Sequence, residues 1–271
     1  MFIDVEHVIA NKNPKLLKII PSFIIRYLKK IIHQDDINRF ISKNGHKKGL
    51  EFAQAILDEY NVTYTINGID NIPASGRFIF ASNHPLGGID GIALILSVSE
   101  KYKSIKFPVN DILMHIKGLD NIFIPINKHG SNSKEAAKQM VEAYSSDAQI
   151  LMFPAGLVSR KQKRKIVDLE WKNNFIKKAI TYKRDIIPVH ITGKNTKFFY
   201  NLANIRKLLR IKVNIEMLYL VDEFYKQCGN NLEISFGKPI SWEDLVKEKD
   251  RDKSAGGIKE IVYRLGNTKR G

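Results

Sequence analysis

The sequence has 271 residues, with 44 Lys and Arg against 28 Asp and Glu, which gives a formal net charge of +16 at pH 7. This length fits one large α/β domain with or without a small appendage, and a hydrophobic content of 44% excludes a predominantly disordered chain. The basic excess predicts an anionic partner: nucleic acid, an anionic membrane, or an acidic protein or substrate.

Nothing in the sequence predicts export, a membrane span or a metal site. The first residues carry acid where a secretory signal would carry basic side chains, and no stretch reaches the ~20 apolar residues that span a bilayer. Cys228 is the single cysteine and cannot form an internal disulfide, which favours a reducing compartment. The histidines are scattered, and no Cys/His cluster has the spacing of zinc ligands.

Residues 14–33 have apolar side chains near helical spacing, with basic residues between them. Pro21 lies inside this pattern and should divide it into two short helices. A basic amphipathic segment of this kind can lie in a membrane interface, or its apolar face can pack on the rest of the protein; the basic excess favours the membrane. A further helix is predicted at 48–59. We therefore expect a basic, helical, membrane-associating N-terminal region over residues 1–59.

From residue 60 onward, strand-like and helical segments alternate, which is typical of an α/β fold whose mixed, mostly buried sheet is covered by helices. We treat residues 60–271 as one domain, because no linker, repeat or low-complexity tract divides them. Strands are predicted at 62–66, 77–81, 104–107, 121–126, 149–153, 186–191, 211–218 and 232–236. Helices are predicted at 91–101, 109–116, 133–145, 169–182, 197–208 and 257–265.

The most informative segment is residues 82–91, Ser-Asn-His-Pro-Leu-Gly-Gly-Ile-Asp-Gly, between a predicted strand and a predicted helix. Such loops often carry chemistry because rigid elements hold them on both sides. A histidine imidazole ordinarily changes charge near neutral pH, so a histidine in this loop, His84, can take a proton from an alcohol. A nearby Asp90 carboxylate can accept the other ring N–H, fix the tautomer and stabilise the imidazolium. A purely structural His–Asp pair is the alternative interpretation of this motif alone.

Two further segments predict groups that bind an anionic substrate. Pro154 and Gly156 force an irregular turn at the end of a predicted strand, where backbone N–H groups can face an anion. Ser159 and Arg160 follow this turn and are predicted to contact substrate. Lys128, at the polar end of another short strand, is predicted to reach an anionic headgroup.

The order and spacing of these blocks resemble the glycerolipid O-acyltransferase superfamily, which includes lysophosphatidate acyltransferases. That family carries an Asn-His-x4-Asp block, a Gly-x-x-Phe-Ile block, a Phe-Pro-Glu-Gly block and a Val/Ile-Pro-Val strand, in that order. Four ordered blocks are far more specific than one, and they cover roughly residues 60–240. The matching residues are Asn83-His84 with Asp90, Gly118 to Asn127, Phe153-Pro154-Ala155-Gly156, Ile187-Pro188-Val189 and the later turn Gly237-Lys238-Pro239-Ile240.

Two departures from the family pattern point to a subfamily. One extra residue separates His84 from Asp90, which Gly87 and Gly88 can absorb as a bulge or turn, and Ala155 replaces the glutamate of the third block. This variant resembles bacterial proteins often called hemolysin-like, some of which acylate the hydroxyl of N-acyl amino-acid lipids such as ornithine or glycine lipids. The missing glutamate and the missing arginine of the second block weaken the match to a glycerol-phosphate acceptor.

The resemblance implies an acyltransferase in which His84 removes the proton of a lyso-lipid hydroxyl while Asp90 orients and supports the ring. The oxygen attacks the thioester of acyl carrier protein or acyl-CoA, both acidic, and no metal or bound cofactor is implied. Backbone N–H groups at the 87–88 or 155–156 turns would stabilise the oxyanion. We expect the protein at the cytoplasmic face of the inner membrane, as a peripheral or monotopic protein. The implied substrate-binding residues are Asn83, Gly87, Gly88, Lys128, Phe153, Pro154, Ala155, Gly156, Ser159 and Arg160.

Three other functions are alternatives. Charge alone is compatible with a nucleic-acid-binding protein, although no zinc finger, recognition helix or stripe of aromatic and basic residues supports it. A non-catalytic lipid-binding or membrane-scaffold protein is the second. A hydrolase, with water in place of the alcohol, is the third, and no serine-nucleophile elbow supports it.

Overall fold

The structure is a computed structural model that describes residues 2–110, 113–126 and 133–267. Its helices, in chain order, are α1 (Val5–Lys12), α2 (Pro14–Ile19), α3 (Ser22–Ile31), α4 (Gln34–Asn44), α5 (Gly49–Glu59), α6 (Ile89–Ser99), α7 (Ser133–Ser145), α8 (Asn174–Tyr182), α9 (Lys197–Leu208), α10 (Leu220–Tyr225), α11 (Trp242–Lys247) and α12 (Arg251–Leu265). Its strands are β1 (Thr63–Asn67), β2 (Phe78–Ser82), β3 (Ile105–Val109), β4 (Phe123–Pro125), β5 (Gln149–Met152), β6 (Arg160–Gln162), β7 (Lys165–Val167), β8 (Asp185–Ile191) and β9 (Asn231–Phe236). Short 3-10 turns lie at Ile69–Asn71, Leu113–His115, Lys117–Leu119 and Ile215–Tyr219.

The main sheet of the described chain has seven strands in the order β1-β9-β8-β2-β5-β3-β4. β8 and β9 pair antiparallel, and the other neighbouring strands pair parallel. A sheet of mostly parallel strands is stable only when helices cover both of its faces. The predicted fold class, a mixed and mostly buried sheet covered by helices, is therefore confirmed. β6 and β7 form a separate antiparallel hairpin.

The central strand β2 shows how the sequence specifies this burial. All five of its residues are buried, so its apolar run is continuous rather than alternating. Phe78 and Phe80 belong to one apolar cluster, which includes residues of α5 and α6. Ile79 and Ala81 belong to a second cluster on the other face, which includes residues of α8 and α12.

The carboxyl ends of β2, β5 and β8 lie at one edge of the sheet, so the loops that leave them come together. Asn83, just beyond β2, accepts the backbone N–H of Ile191 at 2.7 Å and donates to the Ile191 carbonyl at 2.9 Å. Ser159, in the loop after β5, donates its backbone N–H to the carbonyl of His84 at 2.7 Å. These bonds hold the three loops in fixed contact.

The N-terminal region is helical, as predicted, and Pro21 divides its pattern: α2 ends before this proline and α3 begins after it. α5 packs against α6 and places Phe52, Ala53 and Leu57 in the same core as the sheet. The domain boundary at residue 59 stays a prediction. Within the described residues, no helix combines the length and the apolar character that crossing a membrane requires.

The strand predicted at 211–218 is wrong. Its alternation of apolar and polar residues is typical of a strand with the apolar side chains inside, but the segment is a loop followed by a 3-10 turn. The burial is reversed: Glu216 is fully buried, whereas Val213 is 70% exposed. The alternation of apolar and polar residues at 211–218 therefore does not mark a strand that packs its apolar side chains against a core.

Two predicted helices also differ. β3 continues to residue 109, and the helix predicted at 109–116 is only a 3-10 turn, with residues 111 and 112 outside the described chain. The helix predicted at 169–182 begins late, at residue 174. Before it, the Trp171 indole N–H donates to the Asp168 carboxylate at 2.9 Å, which holds an irregular segment.

Arg184, just before β8, satisfies the C-terminal end of α7. Its guanidinium is fully buried and donates to the backbone carbonyls of Tyr144 and Ala148 at 2.8 Å each, and to those of Ala143 and Ser146. The last carbonyls of a helix have no partner within the helix and form the negative end of its dipole. A buried cation here therefore anchors α7 to the sheet.

Replacing Arg184 with Met should lower the free energy of unfolding by about 3 kcal/mol or more, because the substitution leaves several buried carbonyls without a charged donor. Urea unfolding followed by circular dichroism measures this change. Lys177→Met, at an exposed position on α8, is the control and should stay within about 0.5 kcal/mol of wild type. Equal effects of the two substitutions would contradict the anchoring role.

Candidate active site

His84 and Asp90, six residues apart in sequence, form a hydrogen bond. Nδ1 of His84 lies 2.9 Å from Oδ2 of Asp90. The side chain of His84 is 15% exposed and that of Asp90 is fully buried. The loop between β2 and α6 thus presents an accessible imidazole on a buried carboxylate.

Backbone N–H groups surround the Asp90 carboxylate. Oδ2 accepts from Leu86 at 2.8 Å and from Gly87 at 3.3 Å, and Oδ1 accepts from Gly88 and Gly91 at 3.0 Å each. Asp90 also lies in the first turn of α6, where the helix dipole favours a negative charge. These contacts compensate for the loss of water, without which a buried charge would be strongly destabilising.

The ionisation of Asp90 fixes the tautomer of His84. Burial by itself raises the pKa of Asp90, but the charge and hydrogen bond of His84 and the N–H groups of Leu86 and Gly87 outweigh burial and lower the pKa below its ordinary value. An ionised carboxylate only accepts hydrogen bonds, so Nδ1 of His84 must carry the hydrogen. Nε2 of the neutral ring then keeps its lone pair, which a general base needs. Among the described residues, none forms a hydrogen bond with Nε2.

Phe153, from the loop after β5, covers one face of the His84 ring. The ring centroids are 3.9 Å apart and the planes differ by 12°. Phe107 supports Phe153 in turn, with centroids 5.3 Å apart. This stack fixes the plane of the imidazole, and its aromatic face favours the positive charge of an imidazolium.

A second buried carboxylate, Asp168, joins the two loops. Its Oδ1 accepts the Ser159 hydroxyl at 2.5 Å and the backbone N–H of His84 at 3.2 Å, and its Oδ2 accepts the indole N–H of Trp171. Asp168 was not among the predicted site residues. The available signal was weak: a single carboxylate between apolar neighbours after a basic run.

Gly87 shapes the loop around the carboxylate. Its φ of 92° is in the region that side chains disfavour, and a Cβ there would lie 2.8 Å from Leu220 and 2.9 Å from Val158. The chain therefore turns at this glycine between His84 and Asp90, and the absorption of the extra residue by this turn stays a prediction.

Three of the four predicted oxyanion donors are engaged elsewhere. The N–H groups of Gly87 and Gly88 both donate to Asp90. The N–H of Gly156 donates to the carbonyl of Phe153 at 2.9 Å. Because each group already has an acceptor, this structure does not present these three N–H groups to a substrate oxygen.

Arg160 has an ion-pair partner inside the protein. Its side chain is only 3% exposed, and Nη2 lies 3.1 Å from Oε1 of the fully buried Glu216. The guanidinium also lies over the Phe199 ring, 5.2 Å from its centroid. Its contact with substrate stays a prediction.

The other predicted binding residues have mixed surroundings. Asn83 and Ser159 are buried and bonded within the protein, as described above. Pro154 and Ala155 are also buried, Ala155 in the apolar cluster on the α8 side of the sheet. Gly156 is exposed in a turn with φ 66°. Lys128 lies outside the described residues, and the binding roles of all these residues stay predictions.

Comparison with known proteins places the chain in a family. A family model described as Acyltransferase matches residues 7–268, so the chain belongs to this acyltransferase family. Its fold is similar to the crystal structure of the 1-acyl-sn-glycerophosphate (LPA) acyltransferase PlsC from Thermotoga maritima. That match has a TM-score of 0.52 at 15% identity and covers 92% of this chain and 93% of the other.

Two relatives are much more similar in sequence, and each is named lyso-glycine lipid O-acyltransferase. The protein from Bacteroides thetaiotaomicron is 46% identical over 264 residues, covering 97% of this chain and 97% of the relative. The protein from Phocaeicola vulgatus is 44% identical over 264 residues, covering 97% and 95%. The predicted acyltransferase activity and the resemblance to the glycerolipid acyltransferase superfamily are confirmed.

Replacing Asp90 with Asn should reduce stability in a pH-dependent way. A carboxylate whose pKa is lowered on folding stabilises the protein above its unfolded pKa, about 3.9, and this contribution is lost as the pH falls through the folded value. The difference in free energy of unfolding between wild type and Asp90→Asn should therefore be largest near neutral pH and shrink below about pH 4. Urea unfolding over this range measures it.

The control for that series is Asp70→Asn, at an exposed position outside the loop. It accounts for the general effect of removing one negative charge from a basic protein. The difference in free energy of unfolding between wild type and Asp90→Asn could instead stay constant down to acid pH. That result would show that Asp90 is not an ionised, stabilised carboxylate.

Proposed function

We propose that this acyltransferase moves a fatty acyl group to the hydroxyl of a lyso-lipid, with His84 as the general base and Asp90 as the residue that orients it. The observation that carries the proposal is the 2.9 Å contact between Nδ1 of His84 and Oδ2 of Asp90, in a chain of an acyltransferase family. A ring held in this way offers Nε2 to the proton of an alcohol.

The reaction balances without an added acid or base. Nε2 of His84 takes the hydroxyl proton while the oxygen forms a bond to the thioester carbonyl carbon. When the tetrahedral intermediate collapses, the C–S bond breaks and the imidazolium returns the proton to the thiolate. Asp90 stays ionised throughout and stabilises the imidazolium, together with the face of Phe153.

The acceptor we propose is a lyso-glycine lipid or a closely related N-acyl amino-acid lipid. The names of the two relatives support this class of acceptor. The third block supports it as well, because it has Ala155 where the glycerolipid superfamily has glutamate. Ala155 is buried among apolar side chains, where a carboxylate would lack a partner.

The donor we propose is acyl carrier protein or acyl-CoA, at the cytoplasmic face of the inner membrane. Both donors are acidic, and a net charge of +16 would accelerate their encounter with the enzyme. Membership of an acyltransferase family favours an enzyme over the nucleic-acid-binding alternative that charge alone left open.

Replacing His84 with Ala should lower kcat for acylation of a lyso-glycine lipid by roughly 10²–10⁴-fold, the usual contribution of a general base. Purified protein is assayed with acyl carrier protein or acyl-CoA as donor, and the ester product is measured by mass spectrometry. His46→Ala, at an exposed position, is the matched control and should retain full activity. Circular dichroism establishes that each variant is folded.

Near-wild-type turnover by a folded His84→Ala variant would contradict the mechanism. The acceptor is tested separately, by offering 1-acyl-glycerol 3-phosphate to wild type under the same conditions. A preference for that acceptor would overturn the lyso-glycine lipid assignment and leave the role of His84 intact.

A further inference from the structure

Residues 198–218 expose an unusual amount of apolar surface. Leu208 is 81% exposed, Leu209 63% and Val213 70%, and Phe198, Ile205 and Leu218 are each about half exposed. Several leucine and valine side chains in this short segment are open to water. Such a group is typical of a surface that binds a membrane or another protein.

The same segment is held rigidly from inside. Glu216 is fully buried and forms ion pairs with Arg160 at 3.1 Å and with Arg206 at 2.9 Å. These pairs tie the turn after the loop to the hairpin strand β6 and to the end of α9. The apolar side chains are therefore presented outward by a framework that these ion pairs hold.

A second exposed apolar face adjoins this one. Phe23 and Tyr27, on α3, are 63% and 48% exposed. The Tyr27 hydroxyl lies 2.9 Å from that of Tyr219, whose ring also packs against Phe198 with centroids 5.0 Å apart. We call the two faces together the docking surface, represented by Phe23, Tyr27, Leu208, Leu209, Val213 and Leu218.

The exposed charges of both segments have one sign. Residues 14–33 contain five Lys or Arg and no Asp or Glu, and the one acid of residues 198–218, Glu216, is fully buried. Lys207, Arg210 and Lys212 are exposed and alternate with the exposed apolar residues. An occupant that complements this loop therefore offers both apolar and anionic groups.

We propose that the docking surface inserts into the headgroup region of an anionic phospholipid bilayer. A bilayer interface supplies acyl chains and phosphates within ~5–10 Å of depth, so each leucine and each neighbouring lysine finds its own partner there. An acidic protein such as the acyl carrier would match the charges, but it would have to bury apolar side chains on two separate segments.

Docking of this kind brings the membrane close to the candidate site. The loop of the docking surface continues directly into α10, and α10 packs on the loop that carries His84. A Cβ placed on Gly87 would lie 2.8 Å from Leu220, and one placed on Gly88 would lie 3.3 Å from Phe224. The proposed acceptor is a lipid, so, given the proposed function, it would reach His84 from the bilayer rather than from water.

Vesicle co-sedimentation of the full chain tests the docking surface. The variant Leu208→Ser/Leu209→Ser/Val213→Ser should bind phosphatidylcholine–phosphatidylglycerol vesicles roughly tenfold or more weakly than wild type. The matched control, Val141→Ser/Val246→Ser, changes two valines that are about half exposed on α7 and α11, and should bind like wild type. Lys207→Ala/Arg210→Ala/Lys212→Ala should lose roughly fivefold per charge, and only on vesicles that contain phosphatidylglycerol.

Wild-type vesicle binding by the triple serine variant would overturn the proposal. Loss of binding to acyl carrier protein, with vesicle binding unchanged, would overturn it too and assign the surface to that protein. Because all the substituted side chains are exposed, thermal unfolding should match wild type in every variant.

An activity assay separates this inference from the proposed function. The triple serine variant should acylate detergent-dispersed lyso-lipid like wild type and lose activity on lyso-lipid embedded in vesicles. If wild type itself is inactive on both forms of the lyso-lipid, the proposed function fails. The vesicle-binding result still tests the docking surface in that case.

Discussion

The buried Asp90 carboxylate constrains the site because a charge removed from water must be compensated within the protein. Backbone N–H groups of residues 86, 87, 88 and 91 and the His84 ring compensate for it. Three of these groups come from consecutive loop residues, so the loop must curl around the carboxylate, and Gly87 takes a positive φ to allow this. The contacts that stabilise the charge also fix the position and the tautomer of His84.

The rest of the fold keeps this arrangement in place. Parallel strands bring the loops after β2, β5 and β8 to one edge of the sheet. Asn83 bonds the first of these to β8, and Asp168 bonds it to Ser159 of the second. Phe153 from the second loop then stacks on the imidazole. Each loop is thus tied to a buried polar group, and the site does not depend on a single element.

Local steric constraints made much of the fold and of the loop around Asp90 predictable from the sequence. The buried run at β2, the break at Pro21 and the turn at Gly87 follow from features that act on their own neighbours in sequence. Asp168 and Glu216 could not be predicted in the same way, because each also bonds a residue far away in the chain, His84 and Arg160 respectively, and nothing near them indicates burial. The alternation at 211–218 predicted a strand because periodicity records which residues are apolar, and not whether they face a core or the outside.

The protonation state of the His84 ring tests the central claim most directly. Nitrogen-15 NMR of the histidine-labelled protein, at a pH high enough that the histidine rings are neutral, reports which ring nitrogen carries the hydrogen. A neutral His84 with hydrogen on Nδ1 and a bare Nε2, lost in Asp90→Asn, is the expected result. A ring with hydrogen on Nε2, or one that exchanges between tautomers like a free imidazole in wild type, would contradict the role assigned to Asp90.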